Sequence, residues 1–309
     1  MKRFLPLPAL LWVFAATGLL YGQTSTTAVD GRAGSSVAGS VRELRDIPYV
    51  TDGHERQRLD LYVPPQGEGL RPVIVWIHGG AWEAGSKANC PAKGMLAKGY
   101  VVASVGYRLS QHAVFPAQIE DCKAAIRWLR AHAAEYQMDP ERIGVWGASA
   151  GGHLVALLGT TGNVRDFDVG ENLTQSSRVQ CVIDWFGPTD FLHYGAPATA
   201  RPDDRKSPVT RLLGGTVEEK PELAKRSSPI YYVKPDAAPF LIMQGDKDPL
   251  VPMQQSELLY AALQEARVQS VLKIYPGAGH GGPPFGAAES IKVMADFLDQ
   301  YLRPANPAK

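Results

Sequence analysis

The chain has 309 residues, enough to bury a sizeable core in one large domain or two ordinary ones. Apolar residues make up 45% and charged residues 20%, which is close to the globular average and excludes whole-chain disorder and a multi-span membrane protein. The 32 lysines and arginines nearly balance the 31 aspartates and glutamates, so the net charge is +1 and we predict no nucleic-acid partner.

The first 22 residues have the pattern of a secretory signal peptide. Lys2 and Arg3 form a basic start, and residues 4–20 carry no charge. An uncleaved membrane anchor is the alternative, but it needs roughly 20 apolar residues, and two prolines interrupt this shorter run. We predict cleavage near Gly22, a secreted or periplasmic protein with no stable membrane insertion, and a flexible linker over residues 23–40, which are rich in Ser, Thr, Gly and Ala.

From residue 41 onwards, strand-like and helix-like patterns alternate. The predicted strands are residues 58–63, 72–77, 100–105, 142–146, 179–186, 239–244 and 270–275. The predicted helices are residues 117–136, a segment that ends at residue 158, 253–267 and 287–302. This alternation predicts an α/β fold with a mostly parallel central sheet and helices on both faces. We predict one domain over residues 41–304, followed by a short tail over residues 305–309.

Two segments, residues 163–177 and 191–232, break this alternation. They contain little strand pattern and many Pro, Asp and Arg residues. In open α/β sheets, such insertions often lie over the carboxyl ends of the strands, where ligands bind. Surface elaboration is the alternative for both segments.

The sequence Gly-Ala-Ser-Ala-Gly at residues 147–151 matches the G-x-S-x-G motif of a nucleophile elbow. It directly follows a predicted strand and opens a predicted helix. A turn this tight strains the central residue, and side chains two positions to either side would collide, so glycine is needed there. The pattern predicts that Ser149 is an exposed nucleophile with the helix N-terminus beneath it.

A serine nucleophile needs a base and an acid that orients the base, and both are found after later strands. His280 lies in a glycine-rich loop after the strand that ends at residue 275, and we predict that it is the base. Asp246 and Asp248 both follow the strand that ends at residue 244. We favour Asp248 as the acid, because Asp246 adjoins the glycine that ends the strand and is suited to cap the turn. Asp190 is a third candidate, with a loop-bracing carboxylate as its other interpretation.

Residues 78–82, with the sequence His-Gly-Gly-Ala-Trp, follow the strand 72–77 and are suited to an oxyanion hole. We predict that the backbone N–H groups of Gly80, Ala81 and Ala150 form the hole. His78 is interpreted as a brace of this loop, with a second base as the alternative. Trp82 is predicted to line the substrate pocket, with core packing as the alternative.

The three cysteines are an odd number, so at least one thiol is left unpaired. One intramolecular bridge at most is compatible with Cys90, Cys122 and Cys181, and small buried apolar side chains are the favoured interpretation of the last two. No His, Asp or Glu cluster has metal-ligand spacing, and no phosphate-binding glycine loop accompanies a strand. We therefore predict no metal and no cofactor.

These motifs together resemble the α/β-hydrolase superfamily. Within this superfamily, the chain most resembles secreted carboxylesterases of the BD-FAE-like group (acetyl-xylan and feruloyl esterases). This group is related to the hormone-sensitive-lipase-like esterases. The resemblance covers residues 45–302 and rests on residues 78–82, 107–110, 115–117, 147–153, 228–230, 245–248 and 279–280. It implies the triad Ser149, Asp248 and His280. Hormone-sensitive-lipase-like enzymes carry a third glycine at the position of Ala81.

The sequence thus predicts a secreted serine esterase. The expected substrate is a small-molecule or polysaccharide-linked ester with a short acyl group, such as an acetyl group, or with a feruloyl group. Amide, formamide or peptide hydrolysis on the same fold is the first alternative. A non-catalytic binding protein is the second alternative, although such proteins typically lose a member of the triad.

Overall fold

The computed structural model describes residues 39–65, 69–195 and 204–303. The predicted signal peptide at 1–22, residues 23–38 of the predicted linker and the predicted tail at 305–309 lie outside the described residues. These assignments and the boundaries of the predicted domain stay predictions.

Eight strands of the described residues form one sheet. They are β1 (Arg42–Pro48), β2 (Arg58–Val63), β3 (Arg71–Ile77), β4 (Val101–Val105), β5 (Met138–Ala148), β6 (Cys181–Trp185), β7 (Phe240–Gly245) and β8 (Ser270–Tyr275). Their spatial order is β1-β2-β4-β3-β5-β6-β7-β8. Strand β2 is antiparallel to both of its neighbours, and all pairs from β4 across to β8 are parallel. The predicted mostly parallel α/β sheet is confirmed.

The central strands are largely apolar because both faces of the sheet are covered. Every residue of β3 is buried. Val75 and Ile77 join the hydrophobic cluster on one face, and Ile74 and Trp76 join the cluster on the other face. Successive side chains of a strand point to opposite faces, so a strand with two covered faces reads as a continuous apolar run.

Seven α-helices connect the strands or follow them in the described residues. They are α1 (Ala117–Ala131), α2 (Ala150–Thr160), α3 (Pro208–Leu213), α4 (Pro221–Arg226), α5 (Met253–Glu265), α6 (Pro283–Gly286) and α7 (Ala288–Leu302). Short 3₁₀ segments occur at Pro91–Lys98, Arg165–Phe167 and Pro229–Tyr232. Buried side chains of α1, α2 and α5 belong to one hydrophobic cluster, and those of α7 belong to the other. Helices therefore cover both faces of the sheet, as predicted.

Several elements differ from the sequence-based expectation. The short helices α3, α4 and α6 are absent from the predicted set, and β6 is shorter than the predicted strand 179–186. Three further differences concern β1, α1 and β5. Strand β1 is absent from the predicted set because it is an edge strand with mostly exposed side chains, which leaves no apolar alternation to detect. Helix α1 ends at Ala131, and not at residue 136, because the chain turns back towards β5 through Gln137, which has a φ of 55°. Strand β5 begins at Met138, four residues before the predicted start.

The two irregular segments differ in their position relative to the sheet. Residues 163–177 connect the end of α2 to the start of β6, so both ends of this segment lie at the edge of the sheet opposite Ser149. The segment packs along α1, where Arg127 binds Asp168. Residues 191–232 follow the carboxyl end of β6, and residues 196–203 of this segment are not described. We expected both segments to lie over the carboxyl ends of the strands. Only residues 191–232 begin there.

Two further features of the described residues concern the cysteines and membrane insertion. Cys90, Cys122 and Cys181 are all buried and free. Within the described ranges, no helix combines the length and the apolar character that crossing a bilayer requires.

Candidate active site

Ser149 lies in a strained turn between β5 and α2. Its φ of 56° and ψ of −119° fall outside the regions that non-glycine residues usually adopt. The turn is held by its backbone, since the Ser149 N–H donates to the carbonyl oxygen of Trp185 at 2.8 Å and its own carbonyl accepts from His153 N–H at 2.9 Å. The strand–turn–helix context predicted for an elbow is present.

The glycines on either side of this turn lie where no side chain fits. A Cβ atom added at Gly147 would collide with the carbonyl oxygen of Gly151. A Cβ atom added at Gly151 would collide with the carbonyl oxygen of Ile77, at the end of the neighbouring strand. Both glycines are therefore required by the close approach of backbone to backbone that holds Ser149 in place.

Asp248 and His280 are in direct contact, although 32 positions separate them in the chain. The His280 Nδ1 atom lies 2.7 Å from Asp248 Oδ2, and this oxygen also accepts from Gln244 Nε2 at 3.1 Å. The other carboxylate oxygen accepts from the backbone N–H groups of Leu250 and Val251 at 2.8 and 3.0 Å. These bonds hold the carboxylate in one orientation, with Oδ2 towards the imidazole.

The other two candidate acids make different contacts. Asp246 Oδ1 accepts from the backbone N–H of Gly277 at 2.6 Å, which caps the turn after β8. Asp190 Oδ1 accepts from the backbone N–H of Leu192 at 3.0 Å, and its Oδ2 lies 2.9 Å from His193 Nδ1. Neither carboxylate contacts His280.

Phe186 contacts the imidazole and directly follows the residue that holds the elbow. Its neighbour Trp185 accepts the backbone hydrogen bond of Ser149, and the Phe186 ring centroid lies 4.5 Å from that of His280. Among the described contacts, the Ser149 hydroxyl and the His280 imidazole do not form a hydrogen bond with each other. Catalytic hydrogen bonds are often long in unliganded sites and shorten when substrate binds.

The loop after β3 approaches Ser149 closely. A Cβ atom at Gly79 would lie 2.6 Å from the carbonyl oxygen of Ala148 and 3.3 Å from the Ser149 Cβ. Gly80, Ala81 and Trp82 all have positive φ values, of 113°, 55° and 58°. In the part of the chain that the structure describes, no protein acceptor binds the backbone N–H of Gly80 or Ala81.

Ala150, the third predicted oxyanion donor, is the first residue of α2. The first four N–H groups of a helix have no acceptor within the helix. The N–H of Ala150 thus adjoins Ser149 in the chain, and the loop after β3 approaches Ser149 at Gly79. The role of these N–H groups in binding an oxyanion stays a prediction.

His78 is buried, and protein groups face both of its ring nitrogens. Nδ1 lies 2.7 Å from the carbonyl oxygen of Gly79, and Nε2 lies 3.3 Å from an Arg56 amino group. Burial lowers the pKa of His78 to about 4, so the ring is neutral near pH 7. These contacts fit a brace of the loop, and no ring nitrogen is left to serve as a second base.

Trp82 is buried, with 3% of its surface exposed. Its indole Nε1 donates to His153 Nδ1 at 3.2 Å, and His153 Nε2 lies 2.7 Å from the carbonyl oxygen of Ser227. Burial lowers the pKa of His153 to about 4. The Trp82 ring also meets Phe191 edge-on, with centroids 5.8 Å apart. These contacts match the core-packing alternative, and a substrate contact by Trp82 stays a prediction.

Three residues near the site were missed by sequence reasoning. Phe186 was assigned to a strand that runs to residue 186, whereas β6 ends at Trp185 and Phe186 has a φ of 44°. The glycine that follows Phe186 was the available signal for a turn. Arg56 and Gln244 carried no signal, because their roles depend on contacts with distant residues.

Within the described ranges, no group of three or more His, Cys, Asp or Glu side chains could hold a metal ion.

Comparisons with known proteins agree with this architecture. A family model described as BD-FAE matches residues 59–263. Esterase LipC of Mycobacterium tuberculosis is 34% identical over 239 residues, which is 75% of this chain and 59% of that protein. The chain spans about three fifths of the length of three curated esterase relatives that it matches, LipC among them.

Solved structures give the same result. A truncated form of a carbohydrate esterase from gut microbiota superposes with a TM-score of 0.78 at 33% identity, covering 88% of this chain and all of that one. A bifunctional GH43-CE protein of Bacteroides eggerthii has a TM-score of 0.78 at 35% identity, covering 84% of this chain and 35% of that one. The resemblance inferred from the motifs is thereby confirmed: the chain has the α/β-hydrolase fold and belongs to the BD-FAE family.

Proposed function

We propose that the protein is a serine carboxylesterase that hydrolyses carboxylic esters through a covalent acyl-enzyme. The observation that carries this proposal is the strained turn at Ser149, at the same edge of the sheet as the Asp248–His280 pair. A non-glycine residue held in a strained conformation between a strand and a helix is typical of a nucleophile that must stand clear of the backbone. Similarity to an esterase and to a carbohydrate esterase supports ester hydrolysis.

In the proposed reaction, Ser149 Oγ attacks the carbonyl carbon of the ester while His280 Nε2 accepts the hydroxyl proton. Asp248 accepts a hydrogen bond from His280 Nδ1–H, which keeps Nε2 free to act as the base and stabilises the imidazolium that forms. The imidazolium then protonates the leaving alcohol. Water, activated by the same imidazole, attacks the acyl-enzyme and releases the acid.

Negative charge develops on the carbonyl oxygen in each half-reaction. The backbone N–H of Ala150, together with those of Gly80 and Ala81, is proposed to stabilise it. Free backbone donors suit this task because they are held by the fold before the charge develops, and so need no reorganisation during the reaction. The positive end of the dipole of α2, at Ala150, favours the same negative charge.

We propose that the substrates are extracellular. The support is the predicted signal peptide at residues 1–22, together with the carbohydrate esterases among the structural relatives. Short acyl esters and feruloyl esters on plant polysaccharide are the proposed substrate class, and the proposed location is secreted or periplasmic.

The test is hydrolysis of p-nitrophenyl acetate, butyrate and octanoate beside acetylated xylan and methyl ferulate. We expect Ser149→Ala to lower kcat by at least about 10³-fold, because the variant has no nucleophile. Ser86→Ala is the matched control, because Ser86 is exposed and its hydroxyl only accepts from the backbone N–H of Ala88. A fluorophosphonate should label the wild-type chain and Ser86→Ala, but not Ser149→Ala.

Two outcomes would contradict the proposal. Folded wild-type protein without turnover and without fluorophosphonate labelling would favour the non-catalytic binding protein. Faster turnover of an amide or formamide than of the matched ester would favour amide hydrolysis at the same serine.

A further inference from the structure

Arg56 contacts the loop after β3 at both of its ends. This arginine lies in the turn between β1 and β2, outside every motif that marks the site in the sequence. One of its amino groups lies 3.3 Å from His78 Nε2 and 2.8 Å from the carbonyl oxygen of Gly85. Its Nε donates to the carbonyl oxygen of Tyr107 at 3.0 Å, which anchors the guanidinium to the end of β4.

These contacts determine which nitrogen of His78 carries hydrogen. A guanidinium group only donates hydrogen bonds, so His78 Nε2 must accept from Arg56. The hydrogen of the neutral ring is then on Nδ1, which donates to the carbonyl oxygen of Gly79 at 2.7 Å. Tyr107 fixes the ring position, because the two rings stack with centroids 4.4 Å apart and the Tyr107 hydroxyl donates to the carbonyl oxygen of His78 at 2.9 Å.

The hydrogen bond to the Gly79 carbonyl also fixes the direction of the Gly80 N–H. Both groups belong to one planar trans peptide unit and point in opposite directions. Glycine on each side leaves this peptide unit free to rotate in the absence of a contact that holds it. The Gly79 carbonyl held by His78 Nδ1 therefore aims the Gly80 N–H away from His78.

We propose that Arg56 is a positioning residue of the oxyanion hole: it sets the tautomer of His78, which holds the Gly79 carbonyl and thereby aims the Gly80 N–H at the oxyanion. The inference rests on the proposed esterase function and assigns to that function a residue outside its motifs. Arg56 does not touch the substrate. Its effect is on the transition state, in which the oxyanion carries full charge, more than on substrate binding.

The kinetic test is Arg56→Met, which keeps an unbranched apolar chain and removes the donors. We expect kcat for p-nitrophenyl acetate to fall by about 10- to 100-fold, with KM changed by less than about threefold, because one oxyanion donor is loosened but not deleted. Arg58→Met is the matched control from the same hairpin, since the Arg58 guanidinium binds the carbonyl oxygen of Asp46 instead of the loop. Arg56→Lys, which can reach only one of the acceptors, should give an intermediate kcat.

The second readout is the tautomer itself, which is measured first in the wild-type protein. In ¹⁵N-histidine-labelled wild-type protein, we expect the long-range ¹H–¹⁵N spectrum of His78 to show the Nδ1–H form. In Arg56→Met, the Nε2–H form should become populated. A wild-type His78 in the Nε2–H form would overturn the inference even if the Arg56 variant failed to fold.

The two proposals fail in different ways. If the wild-type protein shows neither turnover nor labelling of Ser149, the proposed function is wrong. If the wild-type protein is active, and Arg56→Met keeps the wild-type kcat or loses no more than Arg58→Met, then the esterase function stands and the role of Arg56 is wrong.

Discussion

At the scale of single residues, two aspartates after β7 have different surroundings although only one residue separates them. The Asp248 carboxylate contacts the His280 imidazole and is held by the backbone of Leu250 and Val251. The Asp246 carboxylate binds the backbone of Gly277. A carboxylate can orient a base only through direct contact, so the geometry favours Asp248 as the acid of the proposed triad.

We expect Asp248→Asn to lower kcat by about 10³- to 10⁴-fold, because an amide that donates to Nδ1 favours the tautomer in which Nε2 cannot accept the serine proton. Asp246→Asn, the matched control, should retain a kcat close to that of the wild-type protein. The measurement is steady-state hydrolysis of p-nitrophenyl acetate by both variants. Equal losses in the two variants would contradict the assignment of the acid.

At the scale of the elements, α1 holds the irregular segment after α2 through buried cations. Lys123 Nζ donates to the carbonyl oxygens of Thr161 and Val164 at 2.8 and 2.7 Å. Arg127 is fully buried and lies 2.9 Å from Asp168 Oδ1. A segment without regular structure must satisfy its carbonyl groups in another way, and the side chains of α1 supply the donors.

We expect Arg127→Met to lower the free energy of unfolding by about 3–5 kcal/mol, because the variant leaves the buried Asp168 carboxylate without its nearest cation and removes the donor to the carbonyl oxygens of Val169 and Glu171. The matched control is Lys292→Met on α7, whose ion pair with Asp296 is exposed. Its expected cost is below about 1 kcal/mol. Urea unfolding of both variants measures the difference. A similar small cost for both would show that the cations on α1 are not required.

At the scale of the whole molecule, buried ionisable groups under the site couple its stability to pH. Asp184, on β6, is fully buried and accepts one hydrogen bond from Gly187 N–H at 2.9 Å, while its Oδ2 has no partner among the described residues. Burial raises the pKa of Asp184 to about 7. Burial also lowers the pKa values of His78 and His153 to about 4.

The two kinds of shift have opposite effects on stability. Between about pH 4 and 7, folded Asp184 keeps a proton that the unfolded chain releases, so its contribution to stability is lost as the pH rises through about 7. The two histidines take up protons only in the unfolded chain between about pH 6.5 and 4, so their contribution is lost as the pH falls through that range.

We therefore expect Asp184→Asn to become progressively more stable relative to the wild-type protein as the pH rises from 4 to 7, and the difference to level off above that range. The amide oxygen can still accept from Gly187, and the variant has no charge to bury. The total change with pH is on the order of 4 kcal/mol at most. Urea unfolding at pH 4, 5, 6, 7 and 8 measures it, and a difference that is constant with pH would contradict the buried-acid interpretation.

The sequence by itself determined the α/β architecture and most of the elements that form the site. A strand covered on both faces, such as β3, has a largely continuous apolar sequence, and a helix has apolar residues at helical spacing. Both patterns are local, so the order of the elements can be predicted from the sequence. The elbow is local as well, because the two glycines that the turn at Ser149 needs lie within two residues of it. Strand β1, the short helices α3, α4 and α6, and the exact ends of α1 and β5 were not predicted. An exposed edge, a helix of four to six residues and a turn leave little pattern in the sequence.

Only the tertiary structure decided which residues meet. The pairing of Asp248 with His280 joins two loops 32 positions apart, and Asp246 has the same residue type in nearly the same place in the sequence. Arg56 reaches Gly85 and Tyr107, which lie 29 and 51 positions away. A hydrogen bond between distant residues depends on the packing of whole elements, and no periodicity or local motif encodes it.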